Sequence, residues 1–321
     1  MIEVDNVTKY FGPVLAVDHV SFHVKKGEIV GFLGPNGAGK TTTMRILTSF
    51  IPATSGVARV AGHDVMTDSL GVRESIGYLP ESVPLYPEMR VEEYLAYRAQ
   101  LKGVDRKARQ KRVDFCLERC RIREVRRKLI GTLSRGYRQR VGLADSMIHD
   151  PPILILDEPT AGLDPIQINE TLNTIKTLGQ DHTLLFSTHI LDEVEKVCER
   201  VLIISQGRLG LDKTIEELGA DTAVIVLEVR GPAEQVASAL KAADGVAQVR
   251  AVPVEDDLTA FEIRTHDEKD LREALCDRVV KNGWKVRRLD LRRRKLEDHF
   301  RDVVAQSAIV DRKRLRENDG A

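Results

Sequence analysis

Apolar and polar positions change period repeatedly along this chain. Up to about residue 30 they alternate, in "IEVDNVT", "AVDHVSFHV" and "EIVGFLG", and turns of Gly, Pro or charged residues separate the segments, which predicts short strands. A helix is predicted to start at the glycine-rich loop that follows and to run through "KTTTMRILTSF", ending before Pro52. From about residue 69 to 130 apolar residues recur three and four apart, as in "VEEYLAYRAQLKG", so this stretch reads as helical.

The pattern then shifts to "PPILILDEPT", a continuous apolar run bounded by prolines, which suits a strand buried on both faces of a parallel sheet. Helix "IQINETLNTIKTLGQ", strand "HTLLFSTH", helix "ILDEVEKVCER" and strand "VLIISQG" continue the alternation, so an α/β layer architecture with right-handed crossovers is expected. Near residue 220 the character changes again. Six segments from "DTAVIVLEVRG" to "WKVRRLDLRRR" read strand, helix, strand, strand, helix, strand, the order of a ferredoxin-like split βαβ. The expected organisation is therefore a first domain over 1–220 with a helical insert at about 85–150, a small α+β domain over 221–305, and a charged, unstructured tail over 306–321.

Composition narrows the function classes. In 321 residues, 49 Lys and Arg balance 49 Asp and Glu, so no global field favours nucleic acid or an anionic membrane. The basic runs at 121–128 and 292–295 lack interleaved aromatics and read as solvated faces, and no nucleic-acid partner is expected. The apolar runs are far shorter than a membrane span, and the N-terminus lacks the pattern of an export signal, so a cytoplasmic setting is expected. Of the cysteines, Cys116 and Cys120 share one helical face, and all four read as reduced thiols rather than a disulfide framework or metal site.

Candidate chemistry sits at the carboxyl ends of the apolar strands. "GPNGAGKT" follows one strand and precedes a helix, the context in which G-x-x-x-x-G-K-[ST] cradles phosphates. Gly34, Pro35, Asn36, Gly37, Ala38, Gly39, Lys40, Thr41 and Thr42 are thus candidate nucleotide contacts, with Lys40 reaching the β/γ oxygens and the Thr41 hydroxyl ligating Mg²⁺. Asp157 and Glu158 end "ILILDE", where Asp157 suits the Mg²⁺ shell and Glu158 the polarisation of an attacking water. Ser134 and Gly136 open a further helix in "TLSRGYRQRV" and suggest a second anion site.

Phosphate loop, helical insert, "LSRGY", "ILILDEPTAGLDP" and "STHIL" together resemble the ATP-binding subunits of ABC transporters over about residues 1–215, most closely the exporter-type subunits with a C-terminal extension. That resemblance implies a P-loop ABC ATPase fold and Mg²⁺-dependent ATP hydrolysis. It implies a second copy or a paralogue as partner, paired head to tail, so that Ser134 and Gly136 of one chain close on the ATP of the other. It also implies a separate transmembrane permease that holds the protein on the inner face of the cell membrane. His189 matches the family's switch histidine, Asp164 its D-loop aspartate, and Phe11, rather than Tyr10, the aromatic that stacks on adenine. The pattern departs from the family's usual residues at three positions: Glu81 stands where a metal-linked glutamine is usual, Arg135 where the signature has a second glycine, and Tyr137 at the signature's last position. A soluble, non-transport ABC ATPase acting on ribosomes or nucleic acid is the alternative. Such chains usually carry two cassettes or a long coiled coil, and this one has neither.

Overall fold

The computed structural model describes residues 1–220, 223–255, 257–266, 270–293 and 295–318. In chain order its elements begin with β1 (Ile2–Phe11), β2 (Val14–Val24), β3 (Ile29–Leu33), α1 (Lys40–Leu47), β4 (Ser55–Val60), β5 (His63–Asp64), α2 (Ser69–Ser75) and β6 (Ile76–Leu79). The helical insert follows as α3 (Val91–Leu101), α4 (Arg106–Arg119) and α5 (Arg135–Ser146). Then come β7 (Ile153–Asp157), α6 (Pro165–Leu178), β8 (Thr183–Thr188), α7 (Leu191–Val197), β9 (Arg200–Ser205), β10 (Arg208–Thr214) and α8 (Ile215–Ala220). The last elements are β11 (Ala223–Arg230), α9 (Ala233–Lys241), β12 (Val246–Glu255), β13 (Leu258–Thr265), α10 (Arg272–Lys281), β14 (Lys285–Arg293) and α11 (Leu296–Asn318).

Two units emerge from the contacts, one of Met1–Lys213 with the residues from Phe300 on, the other of Thr214–His299. In the first, a six-stranded sheet has the order β10-β9-β3-β8-β7-β6. Strands β3, β7 and β8 are buried at every position, as a sheet covered on both faces demands. Their parallel register aligns Leu33 with Thr188 and Asp157 with Ser187, so three strands deliver their last residues to one edge. An antiparallel sheet of order β2-β1-β4-β5 joins the same core through Val4, Val20 and Phe22.

The sequence pattern gave no warning of β4, β5, β6 or β10. They are short or half-exposed pieces, all but β4 at a sheet edge, and β6 lies inside the stretch expected to be helical. Helix α1 stops at Leu47, ahead of the expected Phe50, because Ser49 turns to a positive φ of 56°. The insert's helices cover 91–146, inside the expected 85–150.

The second unit has a four-stranded antiparallel sheet of order β12-β13-β11-β14, with α9 and α10 packing Val236, Leu240, Leu275 and Val279 onto Leu227 and Phe261. Contacts place the boundary between units at Lys213/Thr214 rather than at 220/221, since α8 groups with the later strands. The tail expected to be unstructured from 306 is instead helical to Asn318. Inside the first unit Val303 of this helix lies against Gly210, where a side chain would collide at 2.4 Å.

Candidate active site

The loop between β3 and α1 has one tight backbone course. A Cβ on Gly34 would stand 2.4 Å from the Ile204 carbonyl oxygen, and one on Gly39, whose φ is +103°, would stand 2.6 Å from that of Ala16. Only glycine fits either place. Gly39 caps α1 with no side-chain hydrogen bond, so the first N–H groups of the helix stay available to an anion, with the helix dipole behind them. Pro35, Asn36, Gly37 and Ala38 complete the loop, which the Ala38 N–H closes on the Pro35 carbonyl at 3.2 Å, and Thr42 lies in the first turn of α1.

Lys40 is 6% exposed. Its Nζ donates to the Gly34 carbonyl at 2.7 Å and the Pro35 carbonyl at 3.2 Å, and forms an ion pair with Glu158 Oε1 at 3.2 Å. The other oxygen of Glu158 lies 2.9 Å from His189 Nδ1. Glu158 holds a left-handed backbone at φ 47°, its N–H donating to Ser187 Oγ at 3.0 Å. A non-glycine residue held there marks local strain of the kind that gathers at functional sites.

Asp157 is buried and receives Ser187 Oγ at 2.6 Å and Thr41 Oγ1 at 3.3 Å, both on Oδ1. Its Oδ2 is buried without a hydrogen-bond partner. Burial raises its pKa, hydrogen bonds from Ser187 and Thr41 oppose the rise, and the charges of Glu81 and Glu158 reinforce it. A buried carboxylate with one orphan oxygen beside a threonine hydroxyl is a donor set that fits a hard divalent cation.

The remaining predicted residues divide. Phe11 and Tyr10 are both about half exposed, at 49% and 46%, although strict alternation would have buried one of them. Register shifts in the β1–β2 pairing between Val7 and Lys9 and between Lys9 and Tyr10 cancel the alternation. Phe11 carries the Lys9 ammonium 5.1 Å from its ring centre. Glu81, exposed beyond β6, lines a cavity with Arg135 and Arg138 and reaches Asp157 only through its charge.

Ser134 caps α5, accepting from the Tyr137 N–H at 3.4 Å, and Asp164 caps α6, accepting from the Gln167 N–H at 2.9 Å. The two helix starts interlock. A Cβ on Gly136 would meet the Gln167 side chain at 2.4 Å, one on Gly162 would meet the Arg135 guanidinium at 2.3 Å, and Arg140 pairs with Glu170. Among the described residues no hydrogen bond or ion pair joins Ser134 or Gly136 to the phosphate loop.

Sequence reasoning missed Ser187, Thr188 and Glu193. Thr188 Oγ1 donates to the buried Glu193 carboxylate at 2.6 Å and accepts from the Ile190 N–H at 3.0 Å, which secures the turn bearing His189. Two hydroxyl residues ending an otherwise apolar strand, "LLFST", were the available signal.

The ABC transporter family profile matches residues 17–161. A linearmycin resistance ATP-binding protein of Bacillus subtilis is 35% identical over 236 residues, 72% of this chain and 76% of the relative. This chain belongs to the ATP-binding proteins of ABC transporters. A bacitracin transport ATP-binding protein of Bacillus licheniformis is 38% identical, over 65% of this chain and 68% of its own length. A solved ATP-binding subunit of an ABC transporter superposes with a TM-score of 0.62 at 28% identity, covering 68% of this chain and 91% of that one. The matched region takes in the Lys40, Asp157 and Glu158 cluster, and the protein is an ABC ATPase subunit. Among the described residues no helix is long and apolar enough to cross a membrane.

Proposed function

We propose that this ABC ATPase drives an exporter, pairing with a second copy or a paralogue and docking on a separate permease at the inner face of the membrane. The observation that carries the reading is the contact of Lys40 with Glu158 and of Glu158 with His189, beside Asp157 and Thr41. Relatives named for linearmycin resistance and bacitracin transport support the export reading.

Thr41 and the orphan Oδ2 of Asp157 are the residues that would hold Mg²⁺, with Glu81 as a third oxygen donor from the neighbouring loop. When bound, the cation would offset the negative charge of the transferring phosphate. The free N–H groups at the start of α1 bind phosphate oxygens, and Lys40 moves from the carbonyls of Gly34 and Pro35 onto the β/γ oxygens. That move frees Glu158 to accept a proton from water, with His189 fixing the second carboxylate oxygen and meeting the γ-phosphate. Phe11, half exposed, is the ring on which adenine stacks. Ser134 and Gly136 serve the ATP of the opposite chain, which explains why they stand apart from their own phosphate loop, and Asp164 adjoins them at the start of α6.

The test is Glu158→Gln in the intact chain. Turnover is expected to fall about 10²- to 10⁴-fold while ATP binding persists, and the variant should sediment as a dimer with ATP. A variant that hydrolyses at the wild-type rate, or stays monomeric at saturating ATP with and without the permease, overturns the reading.

A further inference from the structure

Two of the chain's three departures from the family's usual residues, Glu81 and Arg135, line one cavity, while the third, Tyr137, donates its hydroxyl to Glu124. Glu81, Ser82 and Leu85, from the loop after β6, and Arg135, Arg138 and Gln139, from α5, all line a cavity of about 640 Å³. Arg135 and Arg138 stand one turn apart on α5, so both guanidinium groups come from one face of the helix. Among the described residues neither their side chains nor that of Glu81 take part in a hydrogen bond or ion pair, whereas Arg140 and Asp145 on the same helix are both paired. Gly162, at φ +70°, leaves the space that the Arg135 guanidinium occupies.

The Glu81 departure is unfavourable alone. A carboxylate in place of an amide sets a negative charge near Asp157, whose pKa it already raises, and near the phosphates that Lys40 receives. An arginine in place of a glycine adds an exposed cation at the signature loop. On one cavity the opposite charges attract, an attraction weakened by the solvent that reaches both.

We propose that Arg135, assisted by Arg138, is a positioning residue for Glu81. Its guanidinium draws the carboxylate toward α5, holds residues 81–87 in one arrangement, and ties the metal-side loop to the loop that serves the opposite chain's nucleotide. The inference rests on the reading of Glu81 as part of the metal-side loop.

Amide hydrogen exchange on the full chain tests it, with and without ATP and Mg²⁺, in the wild type, Arg135→Ala, Arg135→Lys, Glu81→Gln and the double variant Glu81→Gln/Arg135→Ala. Arg135→Ala should speed exchange of Ser82–Tyr86 roughly fivefold, and Arg135→Lys should restore most of the protection. With Glu81→Gln in place, Arg135→Ala should have no further effect, and the difference should vanish in 1 M salt. The Mg²⁺ concentration at half-maximal hydrolysis should rise in Arg135→Ala and not in the double variant relative to Glu81→Gln. Exchange unchanged in Arg135→Ala, or changed equally in both backgrounds, overturns the proposal. Loss of hydrolysis in the wild type would remove the functional reading, while the exchange cycle would still decide the pair.

Discussion

The phosphate-loop half-site and the signature half-site are built on opposite plans. In the first, charged groups contact one another inside the chain: Lys40 with Glu158, Glu158 with His189, and Thr41 and Ser187 with Asp157. In the second, Ser134 and Asp164 only cap their own helices, and Arg135 is left without an ion pair. A site that must bind its ligand alone is pre-assembled, and its internal contacts hold the charges until the ligand replaces them. On the proposed reading the signature half-site is finished only by the opposite chain, and here Ser134 stays exposed while Gly136 is buried in the interlock of α5 and α6.

Variants can break this contrast, and the largest effect is expected at Lys40. Lys40→Ala removes charge-assisted bonds to phosphate and leaves Glu158 without its buried cation, so ATP affinity measured by calorimetry should fall by about 2–4 kcal/mol, roughly 30- to 1000-fold. Gly136→Ala comes next. Its new methyl collides with Gln167, so ATP-driven dimer formation by the Glu158→Gln protein should weaken at least tenfold in sedimentation while ATP binding by the single chain is unchanged.

Ser134→Ala sharpens the comparison, because loss of the cap should cost about 1 kcal/mol of unfolding free energy in denaturant titration and should also weaken the dimer. The smallest effect concerns Asp157. Its folded pKa is raised, so below the ordinary carboxylate range it is neutral in both folded and unfolded chains and contributes nothing to the difference. As pH rises past that range, ionising it costs the folded state more. Asp157→Asn should therefore raise the melting temperature of the nucleotide-free protein at pH 7 and have little effect near pH 4, a trend scanning calorimetry would resolve; equal shifts at both values would exclude burial as the cause.

Much of the fold was legible because burial on both faces leaves long apolar runs: "ILILD" and "TLLFST" name their own strands and point to the edge where chemistry collects. The antiparallel sheet was half hidden, since β4 and β5 are short and their exposed residues carry no period. Alternation also failed at Tyr10 and Phe11, where a shift in pairing with β2 turned both rings outward, and a pairing register is a property of two segments rather than one. The helical course of residues 306–318 was obscured by charge, and within the first unit Val303 against Gly210 shows the kind of contact that composition does not display.

The amino-acid sequence by itself determined the local chemistry: glycines where the backbone must pass close to other atoms, a lysine and threonine opening a helix, two carboxylates ending a buried strand, and hydroxyl or acidic caps before α5 and α6. These depend on neighbours a few residues away, and short-range sterics and hydrogen bonding decide them. Only the tertiary structure decided that Ser187 meets Asp157, that Glu193 secures the His189 turn through Thr188, and that Glu81 and Arg135 share a cavity. Those partners lie tens of residues apart or on separate elements, and the packing of parallel strands and of the helical insert, rather than any local preference, sets their distances.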